Sequence, residues 1–108
     1  NISSISVRTG TAPNSLHYTT MKGAINAFTK ALANEVAPYG ITVNAIAPGF
    51  ILTPFQTKTP GVPPEEIAKR IPVGRVGFPE DIAPLAAFLA GNDASYITGE
   101  VYYVSGGR

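Results

Sequence analysis

The 108-residue chain has no cysteine, no tryptophan, one histidine and one methionine. Without thiols there is neither a disulfide framework nor a thiolate metal site, and His17 alone builds no zinc site without carboxylate help, so no bound metal is expected. Charge is also sparse: charged side chains make up 14% of residues and the formal net charge is +1, too little to draw in nucleic acid or an anionic membrane. No apolar run approaches the ~18 residues of a membrane span, and the first residues carry neither a basic nor an apolar signal region. The expectation is a cytoplasmic protein with no nucleic-acid or membrane partner. What is plentiful is apolar side chains, at 44%, together with 11 glycines and 10 prolines. That composition argues against disorder and for a packed core punctuated by turns.

The length fits one domain over residues 1–108, and no internal repeat is visible. Asn1-Ile2-Ser3-Ser4 resembles the end of a strand, with a strand stub over 1–5 and a Gly/Thr/Pro/Asn-rich loop to Asn14. A helix is predicted from about Ser15 to Ala37, with Ser15 or Asn14 as N-cap. Leu16, Ala24, Ile25, Phe28, Leu32 and Val36 recur at three- and four-residue spacings and give it one wide apolar face, leaving Lys30, Asn34 and Glu35 outside. Its small residues Gly23, Ala24, Ala27, Ala31 and Ala33 admit close packing, either on a sheet or against a second helix. Gly40 ends the helical region, a strand is predicted over Thr42 to Ala47, and Pro48-Gly49 turns the chain. A loop over about 48–77 follows, in which Pro48, Pro54, Pro60, Pro63, Pro64 and Pro72 leave room only for a short helix near Pro64 to Arg70. Pro79-Glu80-Asp81 opens a second long helix ending near Ala90-Gly91, bent slightly by Pro84, and Glu100 to Val104 is the last strand. Tyr96, Tyr102 and Tyr103 are expected as core or interface aromatics.

The chemistry concentrates at Tyr18 and Lys22. Four residues is about one helical turn, so phenol and ammonium share a face. A tyrosine hydroxyl, with an ordinary pKa near ~10, transfers protons near neutral pH only where its phenolate is stabilised, as a neighbouring lysine can do. The strand stub upstream can hold a serine hydroxyl opposite the helix start. His17, next to the tyrosine, reads as solvated or weakly substrate-facing, and Asn44 as structural.

Taken in order, Ser4, Tyr18-Thr19-Thr20-Met21-Lys22, Val43-Asn44-Ala45-Ile46-Ala47-Pro48-Gly49 with Thr53, Pro79-Glu80-Asp81 and Tyr96-Ile97-Thr98-Gly99 resemble the short-chain dehydrogenase/reductase family across nearly the whole chain. The resemblance implies an α/β fold, the C-terminal part of a doubly wound, Rossmann-like parallel sheet with flanking helices. It implies NAD or NADP as cofactor and a small-molecule ketone or alcohol as substrate. By the same resemblance Tyr18 is the general acid/base and also contacts the cofactor, and Lys22 stabilises the phenolate and binds the nicotinamide ribose. Ser4 polarises the substrate oxygen, with Ser3 as the alternative. Pro48 and Gly49 turn the chain towards the cofactor, the Ile51 backbone meets the carboxamide and the Thr53 hydroxyl contacts the cofactor. Pro48-Gly49 taken alone reads more readily as a plain turn. The family's glycine-rich TGxxxGxG turn, its NNAG segment and the helix Asn of its catalytic tetrad do not occur, so the nucleotide-binding N-terminal half is absent.

Two expectations follow. The first is an NAD(P)-dependent oxidoreductase of which this is the catalytic half, resembling 3-oxoacyl carrier-protein reductases. The second is a non-catalytic, self-associating domain derived from such an enzyme. In either case an open strand edge calls for a partner, either a homo-oligomer or a complementing nucleotide-binding half. The substrate loop residues Phe55, Gln56, Lys58 and Val62 carry no ionic pattern that names a substrate.

Overall fold

A computed structural model describes residues 1–10, 15–54 and 61–108. Asn14, Phe55, Gln56, Lys58 and Pro60 therefore lie outside the described residues, as does part of the 48–77 loop. In chain order the elements are α1 (Ser6–Thr9), α2 (Leu16–Val36), β1 (Ala45–Pro48), α3 (Pro64–Ala68), α4 (Pro79–Ala90) and β2 (Val101–Val104), with 3-10 turns at Ala37–Tyr39 and Asn92–Ala94.

β1 and β2 pair in parallel, Ala45 opposite Val101 through Pro48 opposite Val104. Parallel neighbours need a long crossover, and the chain between them supplies it with α3 and α4. On its other edge β1 receives Asn1–Ile5: the Ser3 and Ile5 amides donate to Ile46 O (2.7 Å) and Pro48 O (2.9 Å), and the Ile46 amide donates to Asn1 O (3.0 Å). The N-terminal stub is thus a third parallel segment, bridged at Ile2 to Ile46. β1 lies in the middle, with Ala45, Ile46 and Ala47 buried. Helices α2 and α4 both pack on it, as expected of a parallel strand covered on its faces.

Three expectations need correction. The strand starts at Ala45, not Thr42. Val43 and Asn44 find other partners: the Val43 amide donates to Thr98 Oγ1 (3.0 Å), and Asn44 Nδ2 donates to Ile97 O (2.8 Å) while its Oδ1 accepts from the Glu100 amide (3.1 Å). Residues 6–9 form a helical turn instead of loop, started by Ser4 Oγ accepting from the Ser6 amide at 3.1 Å. The wide apolar face of α2 does not all turn inward. Its buried residues are Thr29 and Ala33, while Leu16 is 82% and Phe28 54% exposed and Ala24 is exposed. The physical reason is distance: a helix lying close over a strand of small residues admits Thr and Ala at the contact and turns the bulky side chains away. Thr29 is tied there by Asn1 Nδ2 (2.9 Å) and by its own donation to Ile25 O (2.7 Å).

Among the aromatics, Tyr96 is fully exposed and belongs to no core of this chain. Tyr103 lies beneath the Arg8 guanidinium, 5.4 Å from its centroid. α4 keeps its expected bounds, with Pro79 at the first position, Glu80 and Asp81 in the first turn and Pro84 inside.

The accessible surface is 7082 Å², roughly a quarter above the ~5,700 Å² of a closed monomer of this mass. The Cα radius of gyration is 15.0 Å, against about 13 Å for a compact chain of this length. Among the described residues no strand lies outside Asn1–Ile5.

Replacing Asn44 by Ala leaves the Ile97 carbonyl and Glu100 amide without their partner and is expected to destabilise the fold by about 1–3 kcal/mol. Asn44→Asp keeps the acceptor alone and is expected to fall between. Urea midpoints of the three proteins check this, and equal midpoints would mean that water replaces the amide at no cost.

Candidate active site

Four segments meet at the carboxyl end of β1. The N-terminal stub brings Ile2, Ser3 and Ser4; the first two turns of α2 bring Tyr18 and Lys22; the exit from β1 brings Pro48, Gly49, Ile51 and Thr53; and the start of α4 brings Pro79, Ile82 and Ala83. Together they line one open cleft of about 450 Å³. Open parallel sheets bind ligands at this end of their strands. Every residue that the sequence nominated, Ser4, Tyr18, Lys22, Pro48, Gly49, Ile51 and Thr53, borders it.

Lys22 reaches over the tyrosine, its Nζ 5.7 Å from the Tyr18 ring centroid. The same ammonium donates to Ile2 O at 3.0 Å, which tethers it to the stub. The two serines differ in their commitments. Ser3 Oγ donates to Lys22 O (3.2 Å), so its proton is spent on the helix backbone. Among the described residues Ser4 Oγ accepts from the Ser6 amide and donates to none. Tyr18 is 42% exposed. Among the described residues of the lining Lys22 is the one basic side chain, and the remaining wall is apolar or hydroxylic. Among the described residues no three His, Asp or Glu side chains gather as a metal would need, and no helix is long and apolar enough to cross a membrane. His17 is exposed at the start of α2.

The turn at Gly49 has a steric cause, since a Cβ there would stand 2.8 Å from the Ser105 Cα. Beyond it, the segment 50–52 is held from the side. Gly77 bridges to Ile51 in parallel; the Gly77 amide donates to Phe50 O (2.9 Å) and the Leu52 amide to Gly77 O (2.8 Å). Next to Gly77, Arg75 grips Asp81 in a two-pronged pair, with both N···O distances 2.7 Å. Asp81 also accepts from the Phe78 amide (2.8 Å), an N-terminal cap of α4. Sequence reasoning missed this pair and the α4 side of the cleft. The acids at 80 and 81 were readable as helix-dipole partners, but the reach of Arg75 across Gly77 depends on a loop path that no spacing encodes.

Comparison with known proteins bears on this geometry. A family model described as enoyl-(acyl carrier protein) reductase, of the short-chain dehydrogenase type, matches residues 1–108. The chain belongs to the short-chain dehydrogenase/reductase family. The 3-oxoacyl-[acyl-carrier-protein] reductase FabG of Rickettsia prowazekii is 48% identical over 107 residues, 99% of this chain and 44% of the relative. A solved 3-oxoacyl-[acyl-carrier protein] reductase from Brucella melitensis with bound NAD superposes with a TM-score of 0.85 at 39% identity, over 99% of this chain and 38% of the other. A variant short-chain dehydrogenase/reductase of Serratia marcescens gives 0.88 at 32% identity, over 98% and 43%. This short-chain dehydrogenase/reductase chain thus spans less than half the length of the relatives it matches. Its fold is a partial domain of their α/β type.

The Asp81 carboxyl is held well below the usual carboxylate range, first by the Arg75 hydrogen bonds and then by the Phe78 amide. A carboxylate of lowered pKa contributes its full stabilisation at every pH above its unfolded value of about 3.9, and the contribution is lost progressively as the pH falls from there to the lower folded value. The Asp81 carboxyl carbon resonance is therefore expected to stay at its ionised position from neutral pH to about pH 3.5. A midpoint near the ordinary Asp value would mean that the pair is open in solution.

Proposed function

We propose that this chain is the catalytic part of an NAD- or NADP-dependent oxidoreductase that interconverts a ketone and a secondary alcohol, with Tyr18 as general acid/base. The observation that carries the reading is the single cleft in which Ser4, Tyr18, Lys22, Ile51 and Thr53 meet. Its chemistry suits the nicotinamide-ribose end of a dinucleotide: a cation and hydroxyls for the ribose, and an apolar wall of Ile2, Pro48, Ile51 and Ile82 for a flat ring. A bound nicotinamide cofactor supplies or removes hydride at the carbonyl carbon. Tyr18 gives its hydroxyl proton to the carbonyl oxygen in reduction and takes one back in oxidation. Lys22, fixed by Ile2 O, holds its ammonium over the Tyr18 ring and has N–H groups to offer the ribose hydroxyls. Ser4 keeps its hydroxyl proton for the substrate oxygen, a donor aimed where charge develops; the commitment of Ser3 to Lys22 O favours Ser4 for this role. The relatives named as 3-oxoacyl-[acyl-carrier-protein] reductases make a 3-oxoacyl group the first ketone to test.

The residues for the adenosine and pyrophosphate end are not in this sequence. In this reading residues 1–108 form one partial domain, completed by a nucleotide-binding half or by copies of itself. Surface beyond that of a closed monomer, and the lack, among the described residues, of a strand paired to the outer side of Asn1–Ile5, support such a partner. The same two observations favour a second reading, a non-catalytic module that keeps the packing and self-associates.

Calorimetric titration of NADPH and NADH, with mass from light scattering on the same sample, separates the two. Micromolar binding, by an oligomer or after addition of a nucleotide-binding half, supports the enzyme; millimolar or no binding in both settings supports the module. In the active assembly Tyr18→Phe is expected to lower ketone reduction by about 10²–10⁴-fold. Retained turnover would remove Tyr18 from the role.

A further inference from the structure

The Arg75–Asp81 pair stands outside the cleft and is partly exposed, with side-chain exposures of 54% and 33%. Ion pairs in such positions add little to stability. Their geometry can still matter, and here it encloses a short loop. Arg75 donates to both Asp81 oxygens and, from Nη1, to Val76 O at 3.1 Å. Asp81 accepts from the Phe78 amide. Val76 is buried. Between Val76 and Phe78, Gly77 is bonded on both sides to the segment that forms the cofactor-facing wall: its amide to Phe50 O and its carbonyl to the Leu52 amide. The fit is tight. A Cβ on Gly77 would come within 2.5 Å of Ile51 Cδ1 and 3.7 Å of Asp81 Oδ2, so Gly77 is wedged between the carboxylate and the Ile51 side chain.

We propose that Arg75 and Asp81 are positioning residues: their two-pronged pair fixes Gly77 against Phe50–Leu52 and so sets where Ile51 and Thr53 stand in the cleft. They touch no reacting atom and act through the two backbone hydrogen bonds at Gly77. The consequence for nicotinamide binding rests on the proposed function; the clamp itself does not. The planar guanidinium is essential to it, because a lysine supplies charge at one point and cannot hold both carboxylate oxygens.

Amide hydrogen exchange in the chain in solution, followed by NMR for the unaltered protein, Arg75→Ala, Arg75→Lys and Gly77→Ala, tests the clamp. In Arg75→Ala the Leu52 and Gly77 amides are expected to exchange at least about tenfold faster, with the Ala45 and Gly49 amides of the β1–β2 pairing unchanged. Arg75→Lys is expected to recover part of the protection, and Gly77→Ala to move the Ile51 methyl resonances. Unchanged exchange at Leu52 and Gly77, or equal acceleration at all of these amides, overturns the proposal. Titration of NADH and NADPH into the same proteins reads the consequence: affinity several-fold weaker in Arg75→Ala and partly restored in Arg75→Lys supports positioning, whereas equal affinity alongside faster local exchange overturns it. If neither nucleotide binds the unaltered protein in any assembly, the functional reading fails, and the exchange data alone decide the clamp.

Discussion

Strand β1 has only four residues, and backbone hydrogen bonds on both of its edges decide where everything else stands. Asn1–Ile5 on one side and β2 on the other run parallel to it, so all three segments end together. Parallel pairing offsets each strand from the next by a regular slanted ladder, which leaves little freedom in where the carboxyl ends fall. Ser4 and Pro48 become neighbours for that reason, since the Ile5 amide is bonded to Pro48 O. The alanines at 45 and 47 are fully buried, and their small size lets α2 and α4 lie near the sheet. Larger residues would lift both helices and separate Tyr18 from Ser4.

The same arrangement leaves much uncovered. With three short segments for a sheet, the core contains few large side chains; Ile46 is the sole branched aliphatic among the buried β1 residues. Leu16, Met21 and Phe28 on α2, Ile2 at the stub and Tyr96 near β2 meet solvent. Burying a Leu or Phe side chain is worth about 1.5–3 kcal/mol, so covering even some of these residues outweighs many surface hydrogen bonds. The edge and the exposed apolar residues are the features on which the proposed association rests.

Much of this was legible in the sequence, and the part that was not has a common cause. The bounds of α2 and α4 follow from local signals, a 3.6-residue period in one and Pro79 with two acids in the other, and both match within a residue or so. Tyr18 and Lys22 at one turn's spacing were readable for the same reason. The inward face of α2 was not. Periodicity favoured Leu16 and Phe28, but the contact chose Thr29 and Ala33, because the distance to a strand of alanines is a tertiary quantity. The start of β1 shifted because the Asn44 side chain displaced ladder bonds, and Asn at a strand entry does not announce which backbone it will bind. Arg75–Asp81 escaped notice because a six-residue separation means nothing until Gly77 turns the loop between them.

The cleft thus has two kinds of residue with different physical demands. The proposed chemical groups, Ser4, Tyr18, Lys22 and Thr53, are few, and the segments that carry or adjoin them are held by hydrogen bonds: the stub to β1, α2 to the stub through the Ser3 and Lys22 side chains, and the 50–52 segment before Thr53 to Gly77. In the proposed enzyme, pre-organisation of this sort would let a handful of side chains act, because a misplacement of about 1 Å can remove most of the benefit of proximity. It also explains why glycines stand at the joints. At Gly49 the Ser105 backbone approaches more closely than a Cβ allows, and at Gly77 a Cβ would meet the end of the Ile51 side chain at 2.5 Å. A site assembled from four separate segments of so small a sheet depends on such contacts, since apolar burial alone would leave each segment free to shift against the others.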